Sequence, residues 1–337
     1  MSNIYGMDWA HKDEKKWWCN GKTTSNKEPK LKKGDVIVTE NVPDPQLKEM
    51  LAKGIKVLSC QTKLVKEWLE RNNLEKNDEN DAIALFKIYK DNPDVFWERE
   101  PRSDLYHSYE FFKEVQHLKV MLANRNWANK SETNEYTLEQ IESLEEYHKK
   151  IVAKELKKYT IWNEYLKHIK GIGPSLAGGL ISTIENIKKF DTISALWAYF
   201  GYHVIDGKAP KKQKGKESNW NQKARSMCYL IGEQFFRQRS PVFRELIDTE
   251  KERQLSRKYK KGELAKSYKG YSKDDIHLSK GHAQNRAFRK AVKIFLQTVW
   301  VKWRELDKLP LSEPYVVDKL QHKNIITPDI VLKRHGI

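Results

Sequence analysis

Cysteine and long apolar runs are both scarce in this sequence. Its three cysteines, Cys19, Cys60 and Cys228, lie far apart and form no CxxC pair, which excludes a disulfide-rich scaffold and a cysteine-based zinc site. No stretch approaches the ~18 consecutive apolar residues that a membrane span requires, and the first residues contain no apolar signal core. We therefore expect a protein of the reducing cytoplasm that has no membrane as a partner.

Apolar residues are nevertheless frequent enough to build cores. The 337 residues include 39% hydrophobic and 11% aromatic side chains, a composition that argues against a disordered chain. A chain of this length has room for two domains with a connecting element.

Positive charge is distributed unevenly along the chain. Residues 1–100 contain 18 basic and 18 acidic side chains, so the formal net charge of +17 is carried entirely by residues 101–337. This asymmetry predicts that the C-terminal two thirds bind a polyanion. The alternative is a lysine-rich surface that serves only solubility.

Strands and helices are expected to alternate in the first hundred residues, which predicts an α/β fold with partly parallel strands. Apolar and β-branched runs predict a hairpin over residues 4–10 and 15–20 and strands over residues 35–40 and 56–60. Helical periodicity and the breaker Gly54 predict helices over residues 43–53 and 63–71.

Four carboxylates accompany these elements. Asp8 belongs to the first strand, and Glu40 ends the next strong one. Asp78 and Asp81 lie three residues apart at the start of a helical pattern and so share one face. If all four carboxylates surround one cavity, they repel one another unless divalent cations bind there. Mg²⁺ and Mn²⁺ are the expected ions, because they prefer carboxylate and water oxygens as ligands. Two such ions about 4 Å apart activate a water or hydroxyl in phosphodiester chemistry.

Each acid also has an ordinary structural interpretation. Asp78 would suit the cap of its helix and Asp81 the helix dipole of the first turn. Asp8 would suit a turn, and Glu40 an exposed surface.

Four segments of the chain carry a family resemblance. Residues 5–10 (YGMDWA) and 36–40 (VIVTE) resemble two acid-bearing strands, and residues 76–82 (KNDENDA) resemble a Lys-Thr-Asp-x-x-Asp-Ala signature with Asn77 in place of Thr. Residues 166–180 match a helix-hairpin-helix. In this order, the segments resemble the DEDD transposases, insertion-sequence recombinases related to the Piv and MooV invertases, some of which are guided by a bridge RNA.

The resemblance implies a domain order and an activity. It implies an RNase H-like (RuvC-like) catalytic domain over residues 1–100, a helical coiled-coil insertion over 101–160, and a helix-hairpin-helix transposase domain over 161–337. It also implies a metal-dependent enzyme that cleaves and joins DNA strands, with a guide RNA in some members and a dimer or tetramer as the assembly. The four carboxylates that would hold two Mg²⁺ or Mn²⁺ ions are Asp8, Glu40, Asp78 and Asp81.

A glycine turn and a basic loop are the expected nucleic-acid contacts. In residues 166–180 the glycines permit a tight turn, and the backbone N–H groups at the following helix start suit a phosphate; the alternative is a close helix packing at Ala177, Gly178 and Gly179. Residues 206–225 are rich in lysine and contain Trp220, which would stack on a base or anchor the loop; the alternative is a disordered surface loop. The predicted contact residues are Lys170, Gly171, Gly173, Lys208, Lys211, Lys212, Lys214, Lys216, Trp220 and Arg225.

The predicted long helices contain no candidate site residues. Residues 105–126 and 138–165 predict two long helices that form a hairpin, either as a dimerising coiled coil or as an intramolecular arm. Residues 288–306 predict an amphipathic helix whose Trp300 and Trp303 belong to the core.

The chain departs from the resembled family at the serine nucleophile. Where the family has a Ser-Gly element, this chain has Asp206-Gly207, with Ser218 the nearby candidate. Either Ser218 substitutes, or only the carboxylate site operates. The alternatives to a recombinase are a structure-selective DNA nuclease of the resolvase type and a non-catalytic nucleic-acid-binding protein.

Overall fold

The chain folds into two compact units, Met1–Arg102 and Ser103–Ile337. The first unit contains the β-strands of the described chain, and the second contains most of its helices. A computed structural model describes residues 2–9, 16–130, 135–205, 207–215, 218–258, 278–311 and 326–337.

The first unit is built on a mixed six-stranded sheet, counted over its described residues. The strands are β1 (Ile4–Trp9), β2 (Lys16–Cys19), β3 (Thr24–Ser25), β4 (Val36–Thr39), β5 (Lys56–Ser59) and β6 (Trp97–Glu98), in the spatial order β3-β2-β1-β4-β5-β6. Strand β1 is parallel to β4, and β4 to β5, while β2, β3 and β6 pair antiparallel with their neighbours. The parallel strands therefore form the centre of the sheet.

Three helices cover the two faces of this sheet: α1 (Asp44–Ala52), α2 (Thr62–Arg71) and α3 (Asp78–Asp91). Ile37 of β4 packs in one apolar cluster with Leu47 of α1, whereas the next residue, Val38, packs in another with Leu69 of α2 and Leu85 of α3. Successive residues of a strand point to opposite faces, so a strand buried on both sides needs a continuous apolar run.

Helix α3 lies unusually close to β1. A Cβ atom added to Gly6 would lie 2.1 Å from the carbonyl oxygen of Ala82 and 2.9 Å from the backbone nitrogen of Phe86. Only glycine fits between the strand and the helix backbone at this point. This close approach sets the start of α3, with its two aspartates, against the strand that carries Asp8.

The second unit is helical over its described residues. Its helices are α4 (Asp104–Asn129), α5 (Glu135–Leu156), α6 (Thr160–Glu164), α7 (Pro174–Ile184), α8 (Ile193–Tyr199), α9 (Gln222–Arg237), α10 (Phe243–Ser256), α11 (Lys280–Leu306) and α12 (Pro328–Arg334). Trp300 and Trp303 of α11 are buried in the main core, which confirms their predicted place. The prediction of an α/β region followed by a mainly helical remainder is likewise confirmed. Among the described helices, none combines the length and apolar character needed to cross a membrane.

Helix α5 is shorter than the sequence pattern predicts. The pattern extends the helix to Tyr165, but α5 ends at Leu156 and a short α6 follows. The last turn tightens, with Tyr159 N–H donating to the Leu156 carbonyl (3.0 Å), and the Asn163 side chain donates to the Lys157 carbonyl (2.8 Å). Those bonds satisfy carbonyls that a continuous helix would use, so the chain turns there.

Helices α4 and α5 pair within the chain as a hairpin. Lys119 of α4 forms salt bridges with Glu142 (3.2 Å) and Glu145 (3.0 Å) of α5. Phe112 and Val152 join the main core at its base. Of the two alternatives drawn from the sequence, these contacts show the pairing within the chain.

Candidate active site

Asp8 lies within β1, not in a turn, and is half-buried. Burial and the nearby negative charges of Asp81 and Asp78 raise its pKa from 3.8 to about 6, while the backbone N–H of Trp9 and the Lys76 ammonium oppose this rise. The Asp8 carboxyl group therefore stays protonated to a higher pH than that of an exposed aspartate.

Glu40 follows the last residue of β4 directly. Burial together with the charges of Asp81 and Asp8 raises its pKa from 4.5 to about 7, against the opposing effect of Lys76. Its Oε1 atom is buried and has no hydrogen-bond partner among the described residues. Burial and the Glu40 charge also raise the pKa of the Cys60 thiol to about 12. An exposed surface acid would show none of these effects.

The two aspartates of α3 lie in its first turn. Asn77 caps this helix by accepting a hydrogen bond from the backbone N–H of Asn80 (2.8 Å), so Asp78 is not the cap. Asp81 is buried, at 5% exposure, and its Oδ1 has no hydrogen-bond partner in the described part of the chain. Burial raises the pKa of Asp81; Lys76 opposes this rise and Asp78 adds to it. A buried carboxylate with an unsatisfied oxygen is costly without a further ligand.

Asp8, Glu40 and Asp81 thus lie within electrostatic range of one another, and Asp78 lies within range of Asp8 and Asp81. Asp8 is affected by Asp78 and Asp81, and Glu40 by Asp8 and Asp81. As placed, no three of the described His, Cys, Asp or Glu side chains are arranged closely enough to share one ion.

Two contributors to this site, Lys76 and Gly6, stand in the quoted motif segments but were not among the predicted site residues. Lys76 is the cation that acts on Asp8, Glu40 and Asp81 alike; it stands in the signature of residues 76–82, which was the available signal. Gly6 permits the approach of α3, and its place two residues before Asp8 was the corresponding signal. A fifth acid, Glu79, is instead hydrogen-bonded to the Thr24 hydroxyl of β3.

The glycine turn of the second unit leads into α7. Gly171 has a φ of +100°, which favours glycine, and Pro174 begins the helix as expected. Lys170 and Gly173 are exposed at this turn. Farther along α7, a Cβ added to Gly178 would lie 2.6 Å from Val152, and one added to Gly179 would lie 2.5 Å from the Tyr109 hydroxyl. These two glycines therefore serve close helix packing.

The basic loop presents exposed lysines around an anchored tryptophan. Trp220 packs on Arg225, whose guanidinium lies 5.2 Å from the ring centroid and donates to the Pro210 carbonyl (2.7 Å). Both side chains hold the loop, so the anchoring alternative describes Trp220. Lys216 and Asp206 lie outside the described residues. The lysines with exposed side chains are Lys208, Lys211, Lys212 and Lys214.

Ser218 lies in the turn that precedes α9. Its hydroxyl donates to the Trp220 carbonyl (3.3 Å) and accepts from the Gln222 side chain (2.8 Å). Asn221 caps α9 by accepting from the backbone N–H of Ala224 (3.0 Å). The contacts of Ser218 are therefore those of a structural turn.

Part of the second unit is similar to a known transposase family. Residues 163–248 match the model described as the Transposase IS116/IS110/IS902 family. This segment runs from α6 into α10 and contains the glycine turn, the basic loop and Ser218. No curated protein matches the chain. The match supports an IS110-type DNA transposase or recombinase, with DNA as its partner, and does not extend to the four carboxylates.

Proposed function

We propose that this protein is a metal-dependent DNA transposase or recombinase whose metal site is formed by Asp8, Glu40, Asp78 and Asp81. The buried, unsatisfied Oδ1 of Asp81 beside other carboxylates is the observation that carries this proposal. The family match of residues 163–248 supports the DNA substrate. The mixed sheet with helices on both faces is compatible with the RNase H-like, RuvC-like fold that the sequence resemblance implies.

The donor set suits Mg²⁺ or Mn²⁺. These ions take oxygen ligands, and here the oxygens come from half-buried or buried acids whose charges raise one another's pKa. When bound, two such ions would activate a water or hydroxyl and stabilise the leaving oxygen of a phosphodiester.

The chain's own residues orient the acids and balance their charge. The backbone N–H of Trp9 holds the Asp8 carboxylate, and Gly6 lets α3 bring Asp81 toward it. Lys76 offsets part of the negative charge. We assign Lys76 as a positioning residue for the carboxylates.

The second unit would hold the nucleic acid. The net positive charge of residues 101–337, the glycine turn with Lys170, Gly171 and Gly173, and the basic loop all suit phosphate contacts. The resembled family includes RNA-guided members, and a guide RNA would use the same basic surface. Nucleic acid that co-purifies with the chain and disappears on RNase treatment would support a guide; co-purified DNA alone would oppose it.

A homo-oligomer would assemble through the α4–α5 hairpin. Phe111, Leu118, Leu144 and Tyr147 are large apolar side chains that remain exposed on this hairpin. Replacing Phe111 and Leu144 by glutamate should therefore lower the mass measured by light scattering to that of a monomer. An unchanged mass would place the interface elsewhere.

The test of the proposed activity is Mg²⁺-dependent DNA nicking. Asp81→Asn and Asp8→Asn should abolish nicking, because each removes a charged ligand. The control Asp91→Asn, at the exposed end of the same helix α3, should leave nicking intact. Nicking that survives Asp81→Asn would refute the site. Absence of metal binding together with salt-sensitive DNA binding would indicate the non-catalytic alternative.

A structure-selective nuclease is the second candidate function. The observation in its favour is the engagement of the Ser218 hydroxyl with Trp220 and Gln222, with Asp206-Gly207 at the place of the Ser-Gly element. Hydrolysis at the carboxylates needs no serine. Faster cleavage of a four-way junction than of linear duplex, with no joined products, would favour this candidate. Joined products would favour the recombinase.

A further inference from the structure

A tight turn interrupts the loop between α8 and α9. Ile205 and Lys208 exchange two backbone hydrogen bonds of 2.9 Å each, and Gly207 has a φ of +72°. This is the geometry that two-residue β-turns use, and glycine favours it. We call residues 204–214, of which Asp206 lies outside the described residues, the basic turn.

Two arginines hold the backbone on either side of Val204 and Ile205. Arg289 of α11 donates from Nη1 to the Gly201 carbonyl (3.1 Å) and from Nη2 to the His203 carbonyl (2.8 Å). Arg225 of α9 donates to the Pro210 carbonyl (2.7 Å). The stretch between these contacts, residues 203–210, therefore loses little conformational entropy when it binds a ligand.

The basic turn exposes apolar side chains. Val204 is 56% exposed and Ile205 is 47% exposed, although turns ordinarily present polar residues. Lys208, Lys212 and Lys214 follow closely in the chain and are exposed as well. Exposed apolar side chains followed in the chain by exposed lysines suit a ligand that is anionic outside and apolar between its stacked planes, which describes duplex DNA.

We propose that the basic turn is a DNA wedge: Val204 and Ile205 insert between adjacent base pairs, and the lysines bind the flanking phosphates. Inserted apolar side chains partly unstack a base step and kink the duplex. The charge of the turn opposes its burial against a second copy of this basic chain. The inference rests on the proposed function only in taking DNA as the substrate, and not on the carboxylates.

The experiment measures DNA unwinding in EDTA, where metal-dependent cleavage is absent. Full-length protein is bound to a relaxed plasmid, a metal-independent type IB topoisomerase is added, and the topoisomers are resolved after the protein is removed. The wild type should lower the linking number in proportion to bound protein. The double variant Val204→Ser, Ile205→Ser should bind within about threefold of the wild-type affinity and should lose most of the change. The control Ile330→Ser, at a similarly exposed apolar position on α12, should behave as wild type.

The lysines are tested separately by the salt dependence of binding. Each phosphate contact contributes about 0.9 to the slope of log K against log salt, so Lys212→Gln with Lys214→Gln should reduce the slope by about 2. Unwinding per bound molecule should persist in this variant.

Three outcomes would overturn the wedge. They are equal unwinding by the serine double variant, DNA binding by the wild type without any linking-number change, and a serine double variant whose only defect is a lower mass by light scattering. The last result would assign the turn to a contact between copies. None of these three outcomes bears on the proposed metal site, because that site is tested separately by nicking with the Asp81→Asn variant. Conversely, a failure of the metal-site proposal would not change the unwinding result, which is measured in EDTA.

Discussion

Replacing Asp81 by asparagine should stabilise the protein without metal and destabilise it with metal. Asparagine keeps the size of aspartate but removes a charge that raises the pKa of both Asp8 and Glu40. Without a cation, that charge is a source of repulsion. With a cation, it is a ligand. The order of stability of wild type and variant should therefore invert when Mg²⁺ is added.

The expected gain without metal is about 1 kcal/mol. The pKa rises to about 6 for Asp8 and about 7 for Glu40 would each correspond to about 3 kcal/mol at 1.36 kcal/mol per pKa unit. Burial is the larger cause of both pKa rises, and the Asp8 and Glu40 side chains are partly exposed to solvent. After solvent screening, the part of this total that comes from repulsion by the Asp81 charge is about 2 kcal/mol. Loss of the favourable interaction with the N-terminus of α3 subtracts about 1 kcal/mol.

Thermal unfolding of the full chain at pH 8 is the assay. In EDTA, the variant should unfold at a Tm about 4 °C higher than the wild type if the first unit responds as a domain of its size. At 100 times Kd, Mg²⁺ should stabilise the wild type by about 2.7 kcal/mol and the variant far less. Asp91→Asn should follow the wild type in both buffers. A variant that is less stable in EDTA, or that gains as much from Mg²⁺ as the wild type, would refute the reasoning.

Three further predictions concern the same features. The folded-state pKa values of Asp8 and Glu40 lie above their ordinary values. The contribution of these two groups to metal-free stability should therefore be greatest below about pH 4 and should fall as the pH rises to about 7. Urea unfolding midpoints measured across this range should show that loss without Mg²⁺ and no loss with it. Gly6→Ala forces a Cβ into the backbone of α3 and should cost about 3 kcal/mol in chemical denaturation and weaken Mg²⁺ binding; a change under about 0.5 kcal/mol would show that the strand and helix separate easily. Arg289→Met removes two hydrogen bonds to Gly201 and His203, just before the basic turn, and should speed tryptic cleavage within the turn, whereas unchanged cleavage would mean that Arg225 alone holds it.

Local patterns in the sequence determined the type of most elements. Alternating and β-branched runs predicted the hairpin and the central strands, and glycine and proline marked the ends of α1 and the start of α7, because these preferences act within a few residues. The seam of α11 predicted the burial of Trp300 and Trp303 for the same reason. The residue types of the four acids, and their placement in a strand (Asp8), after a strand (Glu40) and at a helix start (Asp78 and Asp81), could also be read locally.

Tertiary structure decided what depends on residues distant in the chain. The order of the strands, and the hydrogen bonds from Arg289 to the carbonyls of Gly201 and His203, depend on contacts that no short window contains. The same is true of the raised pKa values, since burial and charge at Asp8 come from α3, about seventy residues away in sequence. Residue types thus establish which chemistry is available, and packing over long distances decides which charges meet, which oxygens lose water, and which apolar side chains stay exposed.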